Sequence, residues 1–213
     1  MIPRISQLPQ VSAEYKKFLT VLKSKAFSGD IEDRYPARLL CATDNSVYQC
    51  LPAAVIFPKT AADIALALTI AGDKEFSSII FAPRGGGTGT NGQSLNKGIM
   101  IDCSRYMKEY RDFNAENREI TVQAGVIKDE LNEFLKPHAL FFSPELSTSS
   151  RATIGGMISN DAAGQGSLKY GRTSSHIKKV TVVLYDGSVA TFGPVSGNEL
   201  QSCLKKSGLE GGI

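Results

Sequence analysis

The sequence predicts an α+β fold made of two α/β subdomains with mixed sheets. Three observations lead to this prediction. Short, branched apolar runs bounded by Gly or Pro are typical of buried strands, segments with helical spacing lie between them, and a glycine-rich loop joins two of the predicted strands. We divide the 213 residues into an N-terminal helical segment (1–52), a first subdomain (53–104) and a second subdomain (105–213).

The first subdomain reads as a βαβ unit followed by a loop and a further strand. Apolar residues at helical spacing predict a surface helix over 11–27 that precedes it. Residues 53–58 form a strand stopped by proline, and the hydroxyl of Thr60 can then cap a buried helix. Two more apolar runs, 78–82 and 98–102, predict the strands that enter and leave the glycine loop.

The second subdomain contains two predicted hairpins and short helices. Its predicted elements are strands at 109–114 and 119–124, a helix over 127–135, a small-residue helix over 153–163, a glycine-rich loop over 164–173, strands at 176–184 and 189–192 around the turn Asp186-Gly187, and a weak helix over 198–206. We found no internal repeat and no low-complexity linker.

Composition limits the function. A hydrophobic content of 42% supports a real core, and a net charge of +3 without a basic run gives no indication of nucleic-acid binding. The longest apolar stretch, 61–72, is interrupted by Asp63 and is too short for a transmembrane segment. Because the N-terminus has no apolar leader, we expect a cytoplasmic protein.

The glycine loop is the strongest functional signal. Residues 83–94 contain five glycines, and glycines are concentrated where the backbone bends tightly or closely approaches a ligand. Consecutive N–H groups in such a loop can converge on an anion, and Arg84 adds a positive charge. We interpret the loop as a cradle for phosphate or pyrophosphate, with a glycine-rich hairpin as the alternative. Residues 87–92 match G-x-G-x-x-G, but a strand follows instead of the helix that a Rossmann turn requires.

A second small-residue segment, 151–164, supports the cradle. Its small side chains permit close backbone approach, and we expect free N–H groups at the start of its helix to bind a phosphate oxygen. The alternative is a helix packed tightly on a sheet.

The two segments together resemble a known family. Arg84-Gly85-Gly86-Gly87-Thr88-Gly89, with Gly92-Gln93-Ser94, resembles the first FAD-pyrophosphate loop of the vanillyl-alcohol-oxidase type, the FAD-linked oxidase or PCMH-type domain. About sixty residues further on, Ile154-Gly155-Gly156 to Gly164 resembles the family's second motif. Asp161 stands where Asn is usual and Ala163 where Gly is usual.

The resemblance implies FAD as the cofactor and a set of contacts to it. FAD is expected to be non-covalent, because the first loop has Thr88 and no His or Cys for covalent attachment. A bulky residue at Gly86 is expected to clash with FAD. The predicted cofactor contacts are Arg84, Gly85, Gly86, Gly87, Thr88, Gly89, Asn91, Gly92, Gln93, Ser94, Pro144, Ser147, Thr153, Gly155, Gly156, Asp161, Gly164 and Gly171.

The resemblance extends over nearly the whole chain to large bacterial fusions in which this domain precedes a substrate domain and an iron–sulfur region. It implies the FAD-binding portion of a dehydrogenase that oxidises a 2-hydroxy acid, D-2-hydroxyglutarate or a D-lactate-like acid. Electrons would pass to an acceptor through 4Fe-4S clusters in the C-terminal region outside this chain. We expect the chain alone to be inactive.

No catalytic or metal-ligating residue is assigned within the chain. His138 is predicted at the surface beside a helix end, and His176 is predicted to be structural at a strand start. The four cysteines form no C-x-x-C pair, which argues against a zinc or iron–sulfur site here. The alternative functions are an autonomous reductase of the same fold and a non-catalytic flavin- or nucleotide-binding module, and a structural glycine-loop protein would be a further alternative.

Overall fold

The computed structural model describes residues 10–206 and 208–212. The helices are α1 (Ala13–Ser24), α2 (Tyr35–Leu40), α3 (Ala61–Ala71), α4 (Lys128–Leu135), α5 (Ile154–Ser159), α6 (Ser167–Tyr170), α7 (Gly197–Cys203) and α8 (Leu209–Gly212). The strands are β1 (Asp30–Glu32), β2 (Ala54–Phe57), β3 (Phe81–Arg84), β4 (Ile99–Asp102), β5 (Tyr110–Asn114), β6 (Glu119–Val122), β7 (Val180–Val183) and β8 (Val189–Phe192). Short 3-10 helices cover Lys74–Phe76, Lys136–His138 and Thr173–His176.

A four-stranded mixed sheet organises the first half of the chain. Its strand order is β1-β2-β4-β3. Strands β2, β4 and β3 run parallel, with Ile99 of β4 in register with both Ala54 and Phe81, whereas β1 is antiparallel to β2. This mixed sheet, with helices packed on it, confirms the predicted α+β class.

The two faces of the sheet bury different sets of side chains. Every residue of β2 and β4 is buried, as expected of parallel strands covered on both sides. Alternate positions of β2 and β4 pack against α1 and α3 in one core, while Val55 and Met100 pack against Cys41 on the opposite face. Phe18 of α1 lies at the centre of the larger core, where its ring meets Phe76 edge-on at 5.4 Å.

Helix α3 begins as the sequence predicts. The hydroxyl of Thr60 accepts a hydrogen bond from the Asp63 N–H, and the Thr60 N–H donates to the Asp63 carboxylate, which completes a capping box. Asp63 is buried and also accepts hydrogen bonds from the N–H and hydroxyl of Ser28 at 2.7 and 2.8 Å. Burial opposes ionisation of this carboxyl, but the bonds from Ser28, Lys59 and Thr60 outweigh burial and lower its pKa. Asp63 therefore ties the start of α3 to the segment that precedes β1.

The second half of the chain has its own core around α4 and α5. Val126, Leu131 and Met157 are buried together there, and the bridge between Ile127 and Thr153 joins the segments that precede the two helices. The β7–β8 turn returns to the first half, because Gly187 lies directly against Thr69 of α3 with a φ of 84°.

Several predicted boundaries differ from the structure. The third strand begins at Phe81, because Ser77–Ile80 lead out of a 3-10 helix. The strand predicted from residue 176 begins only at Val180, because Thr173–His176 form a 3-10 helix. Helix α6 lies inside the predicted loop 164–173, where Ser167 caps the preceding turn by bonding to Gly164.

The sheets show two further details. The described residues of the second half contain two separate antiparallel hairpins, β5–β6 and β7–β8, and no mixed sheet, because short turns pair consecutive strands locally. Strand β1 is an addition within the segment 1–52, which was predicted to be helical. The division of the chain at residues 52 and 104 stays a prediction, and residues 1–9, for which no leader was predicted, lie outside the described residues.

Candidate cofactor-binding site

The glycine loop connects β3 to β4, and these strands are parallel. The loop therefore crosses from one end of the sheet to the other, and the alternative of a glycine-rich hairpin is wrong. Gly87 and Gly92 have φ values of 63° and 72°, a conformation that L side chains rarely adopt. At these two positions the backbone conformation alone accounts for glycine, with no need to invoke a ligand.

The loop presents a row of unused backbone donors. In residues 10–206 and 208–212, no hydrogen-bond acceptor contacts the N–H groups of residues 85 to 90, whereas the next one, of Asn91, donates to Gln93 Oε1 at 3.0 Å. Six consecutive free N–H groups in a tight loop form the kind of concave donor set that binds anions. This donor set fits a phosphate or diphosphate.

Arg84 lies beneath the loop, at the last position of β3. Its side chain is buried, and its guanidinium lies directly against Gly87. Nη2 donates to the Thr43 carbonyl at 2.8 Å, while Nη1 is buried with no hydrogen-bond partner among the described residues. A buried cation with an unused donor is costly unless something compensates it, so the loop is positively charged from below.

The segment 43–48 supports the loop from one side. The Asn45 N–H donates to the Gly89 carbonyl at 3.1 Å, and the ring of Tyr48 packs against Gly92. Asp44 is a turn residue, since its Oδ1 accepts from the Ser46 N–H at 2.8 Å. The roles of Thr43 and Asn45 could not be read from residue types, because both residues act through backbone atoms.

The second motif packs directly on the first loop. A Cβ on Gly85 would overlap Thr153 Oγ1, and a Cβ on Gly86 would overlap the Arg151 carbonyl oxygen. Arg151 Nη2 also donates to the Gly86 carbonyl at 3.2 Å. The expected clash of a bulky residue at Gly86 would therefore be with the protein's own backbone, so Gly85 and Gly86 are required by packing between the motifs.

Gln93 and Asn160 connect the two motifs a second time. Gln93 Nε2 donates to Asn160 Oδ1 at 2.8 Å, and Asn160 Nδ2 donates to the Gly156 carbonyl at 2.9 Å. Asn160 was absent from the predicted contacts, although it adjoins Asp161 within the quoted motif. Both side chains are exposed, so this connection lies at the outer surface of the loop.

The N–H groups at the start of α5 are not free. Those of Ile154 and Gly155 donate to the carbonyls of residues 126 and 124 at 2.8 and 2.9 Å, and that of Gly156 donates to Thr153 Oγ1 at 3.3 Å. The expectation that this helix start offers free donors to a phosphate is therefore wrong. Thr153, Gly155 and Gly156 hold the second motif in place, and whether they contact the cofactor stays a prediction.

Asp161 follows α5 in a left-handed conformation with a φ of 45°. Asn and Asp tolerate this region better than other non-glycine residues, which explains how Asp can stand where the resembled family has Asn. Its Oδ1 accepts from the Ser174 N–H at 2.9 Å, and Arg172 lies 3.6 Å from Oδ2. These interactions, led by the Ser174 backbone bond, lower the pKa of Asp161.

The remaining predicted contacts form a second group. A Cβ on Gly164 would overlap the Glu145 carbonyl oxygen, so the segment containing Pro144 lies against the glycine-rich turn after α5. Gly171 adopts a φ of 80° at the end of α6. Pro144 is buried and Ser147 is exposed.

Both histidines have contacts that position their rings. His176 Nε2 lies 2.7 Å from the Tyr170 carbonyl and 3.2 Å from Ser143 Oγ, which ties this second group together. The carbonyl can only accept, so Nε2 donates to it. His138 is exposed and packs on the Phe113 ring at 4.6 Å.

In the part of the chain that the structure describes, no three His, Cys, Asp or Glu side chains are grouped as a metal site. No helix in the same residues has the length and apolarity to cross a membrane.

Comparison with known proteins agrees with this geometry. The sequence model of the family described as FAD binding domain matches residues 52–193. The chain is 54% identical over 195 residues to D-2-hydroxyglutarate dehydrogenase of Pantoea ananatis (strain AJ13355), which covers 92% of this chain and 19% of that protein. It is 52% identical over 207 residues to D-2-hydroxyglutarate dehydrogenase of Escherichia coli (strain K12), covering 97% of this chain and 20% of that protein. The chain thus spans about a fifth of the length of these curated relatives.

A solved structure shares the fold. Alkyldihydroxyacetonephosphate synthase superposes with a TM-score of 0.75 at 16% identity, covering 91% of this chain and 37% of that one. At this identity the likeness concerns the fold alone.

Proposed function

The chain belongs to the FAD binding domain family, and from that premise we propose that it is the FAD-binding portion of a flavin-dependent dehydrogenase that oxidises a 2-hydroxy acid. D-2-hydroxyglutarate is the proposed substrate, with a D-lactate-like acid as the alternative. The substrate domain and the iron–sulfur centres that take up the electrons would lie outside these 213 residues. We place the protein in the cytoplasm, where the unpaired state of its cysteines is expected.

One observation carries the proposed reaction. Identity to two D-2-hydroxyglutarate dehydrogenases exceeds half of the aligned positions along more than nine-tenths of this chain. The alignment therefore includes both the glycine loop and the second motif. Identity at this level supports a shared cofactor and a shared reaction class more strongly than the fold does.

The loop residues would hold the diphosphate of FAD. The free N–H groups of residues 85 to 90 would donate to its oxygens, and each hydrogen bond to a charged group contributes about 1.5–3 kcal/mol. Several such bonds are sufficient to hold FAD without a covalent link, and residues 84–94 contain no His or Cys to form one. Pro144, Ser147, Gly164 and Gly171 form the second group, which we assign to the flavin side of the cofactor.

When bound, FAD supplies the hydride acceptor for oxidation of the alcohol. This chain would bind and orient it, while the base that takes the hydroxyl proton would come from the substrate domain. The chain alone should therefore bind FAD without oxidising a hydroxy acid.

Equilibrium binding tests the cofactor assignment. We expect the purified chain to bind FAD, followed by flavin fluorescence, and to bind FMN and NAD far more weakly. Acid precipitation should release all of the flavin into solution, as non-covalent attachment requires. Absence of flavin both from this chain and from a longer polypeptide that includes the substrate domain would contradict the proposal.

The longer polypeptide also tests the substrate. Anaerobic addition of D-2-hydroxyglutarate should bleach its flavin absorbance, and L-2-hydroxyglutarate should not. Bleaching by D-lactate alone would select the alternative substrate, while a bound flavin that no hydroxy acid reduces would point to a non-catalytic flavin-binding module.

A further inference from the structure

Arg84 is a buried, positively charged residue with an unused hydrogen-bond donor, and no contact among the described residues accounts for this combination. It is 9% exposed, and an arginine is rarely buried to this degree unless it is paired. Within residues 10–206 and 208–212, no carboxylate forms an ion pair with it. Asp102, its register partner on β4, directs Oδ1 to the N–H and hydroxyl of Ser104 at 2.8 and 2.6 Å.

The position of the guanidinium excludes a simple surface role. Nη1 is buried, and the guanidinium lies directly against Gly87. A ligand held by the N–H groups of the loop would therefore lie close to the charge of Arg84. In this low-dielectric setting, screening by salt is weak.

We propose that Arg84 is the buried charge that the diphosphate of FAD neutralises, and that the free chain carries this charge at a cost in stability. In this role Arg84 is a positioning residue that acts through the loop. The inference rests on the proposed function, since it assigns the diphosphate to the loop above Arg84. An uncompensated buried charge destabilises a fold, whereas an anion held by the loop would compensate it.

The proposal predicts opposite effects of one substitution on two measurements. Arg84→Met removes the charge and keeps an unbranched side chain of similar length, so the free chain should unfold about 2–8 °C higher. Its affinity for FAD should fall about 10- to 100-fold, because one attractive charge close to the diphosphate is lost at the effective dielectric of a protein. The Thr43 carbonyl left by this substitution belongs to an exposed residue, so we expect water to replace the lost donor.

Two further variants separate charge from hydrogen bonding. Arg84→Gln keeps an amide donor for the Thr43 carbonyl without the charge, so its FAD affinity should fall as in Arg84→Met. Arg84→Lys keeps the charge but lacks the planar guanidinium with its paired donors, so its FAD affinity should stay within about threefold of the parent value. The matched control is Arg111→Gln, because Arg111 on β5 is exposed and pairs with Glu109.

Two measurements test the proposal: thermal unfolding of the free chain, and titration of the chain with FAD and with ADP. ADP carries the diphosphate without the flavin, so both ligands should lose affinity together. A lower unfolding temperature for both Arg84→Met and Arg84→Gln, or FAD affinities equal to the parent value, would overturn the proposal. Failure of the parent chain to bind FAD would instead count against the proposed function, and the unfolding temperatures of the free variants would still test the cost of the buried charge.

Discussion

Gly85 lies so close to Thr153 that a Cβ at position 85 would overlap the threonine hydroxyl oxygen and would lie 3.3 Å from its Cβ. The two residues are distant in sequence, and each belongs to one of the two motifs. Thr153 also caps α5, which fixes its side chain. The shape of the glycine loop thus depends on the placement of the second motif.

Substitution of Gly85 by Ala should destabilise the chain by about 1–3 kcal/mol, because overpacking forces backbone shifts in a rigid neighbourhood. The free energy of unfolding, measured by urea titration, checks this expectation. Gly197→Ala is a matched control, since a Cβ at that glycine would meet no atom within 4 Å.

A double-mutant cycle identifies the partner. Thr153→Ala alone should cost about 1 kcal/mol through loss of the cap, and it removes the oxygen that a new Cβ would overlap. The cost of Gly85→Ala should therefore be smaller in the Thr153→Ala background than in the parent. Strictly additive costs would mean that the strain at position 85 has another source.

Short-range signals were sufficient for much of the fold. Thr60 caps α3 as predicted, and Asp63, three residues further on, completes a capping box with it. The turn Asp186-Gly187 and the helix start at Lys128 also follow from local sequence. In each case the partners lie within a few residues of each other.

Long-range contacts account for what the sequence could not reveal. The N–H groups at the start of α5 are satisfied by the carbonyls of residues 124 and 126, about thirty residues earlier in the chain, so a motif that looks like an anion site uses its donors internally. A bulky side chain at Gly86 was predicted to clash with FAD, whereas the structure shows that the space beside this glycine is filled by the Arg151 carbonyl. The parallel pairing of β3 with β4 likewise depends on tertiary contacts that local patterns do not specify.

Asp63→Asn should lower the free energy of unfolding at pH 7 by about 2–3 kcal/mol. The carboxylate accepts bonds from the N–H groups of Ser28, Lys59 and Thr60, and an amide nitrogen in place of one oxygen would face these donors and leave some of them unsatisfied. Urea unfolding measures the loss. Asp33→Asn serves as a control on a carboxyl that lies outside this network.

The effect of Asp63→Asn should depend on pH with a definite sign. Because the folded-state pKa of Asp63 is lowered, its stabilisation is complete above the unfolded value of about 4 and is lost as pH falls through the folded value. The stability difference between the parent and Asp63→Asn should therefore be constant from about pH 8 to pH 5 and should shrink at lower pH. A difference that grows below pH 4 would contradict this assignment.

Gly187→Ala should disturb the contact between the two halves of the chain. Gly187 has a φ of 84°, and a Cβ there would overlap Thr69 Oγ1 and lie 2.9 Å from the Ala65 carbonyl oxygen. Strain and overpacking together should cost about 2–4 kcal/mol, measured by urea unfolding. Gly208→Ala is the comparison, because it has a φ of 83° without neighbours within 4 Å, so it reports strain alone and should cost less.

The bond between Gln93 and Asn160 should control how fast FAD leaves. It joins the outer part of the glycine loop to the end of α5, and Gln93 Oε1 also accepts from Asn91 N–H next to the free donors. A single exposed hydrogen bond contributes about 0.5–1.5 kcal/mol, so Gln93→Ala and Asn160→Ala should each speed FAD dissociation about 2- to 10-fold. Stopped-flow fluorescence after mixing with excess unlabelled competitor gives the rate.

Because the same bond is removed in both single variants, the double variant should release FAD no faster than the faster single variant. The control Asn117→Ala in the β5–β6 turn should release FAD at the parent rate. Multiplied rates in the double variant would show that the two side chains act separately and that the bond does not hold the loop.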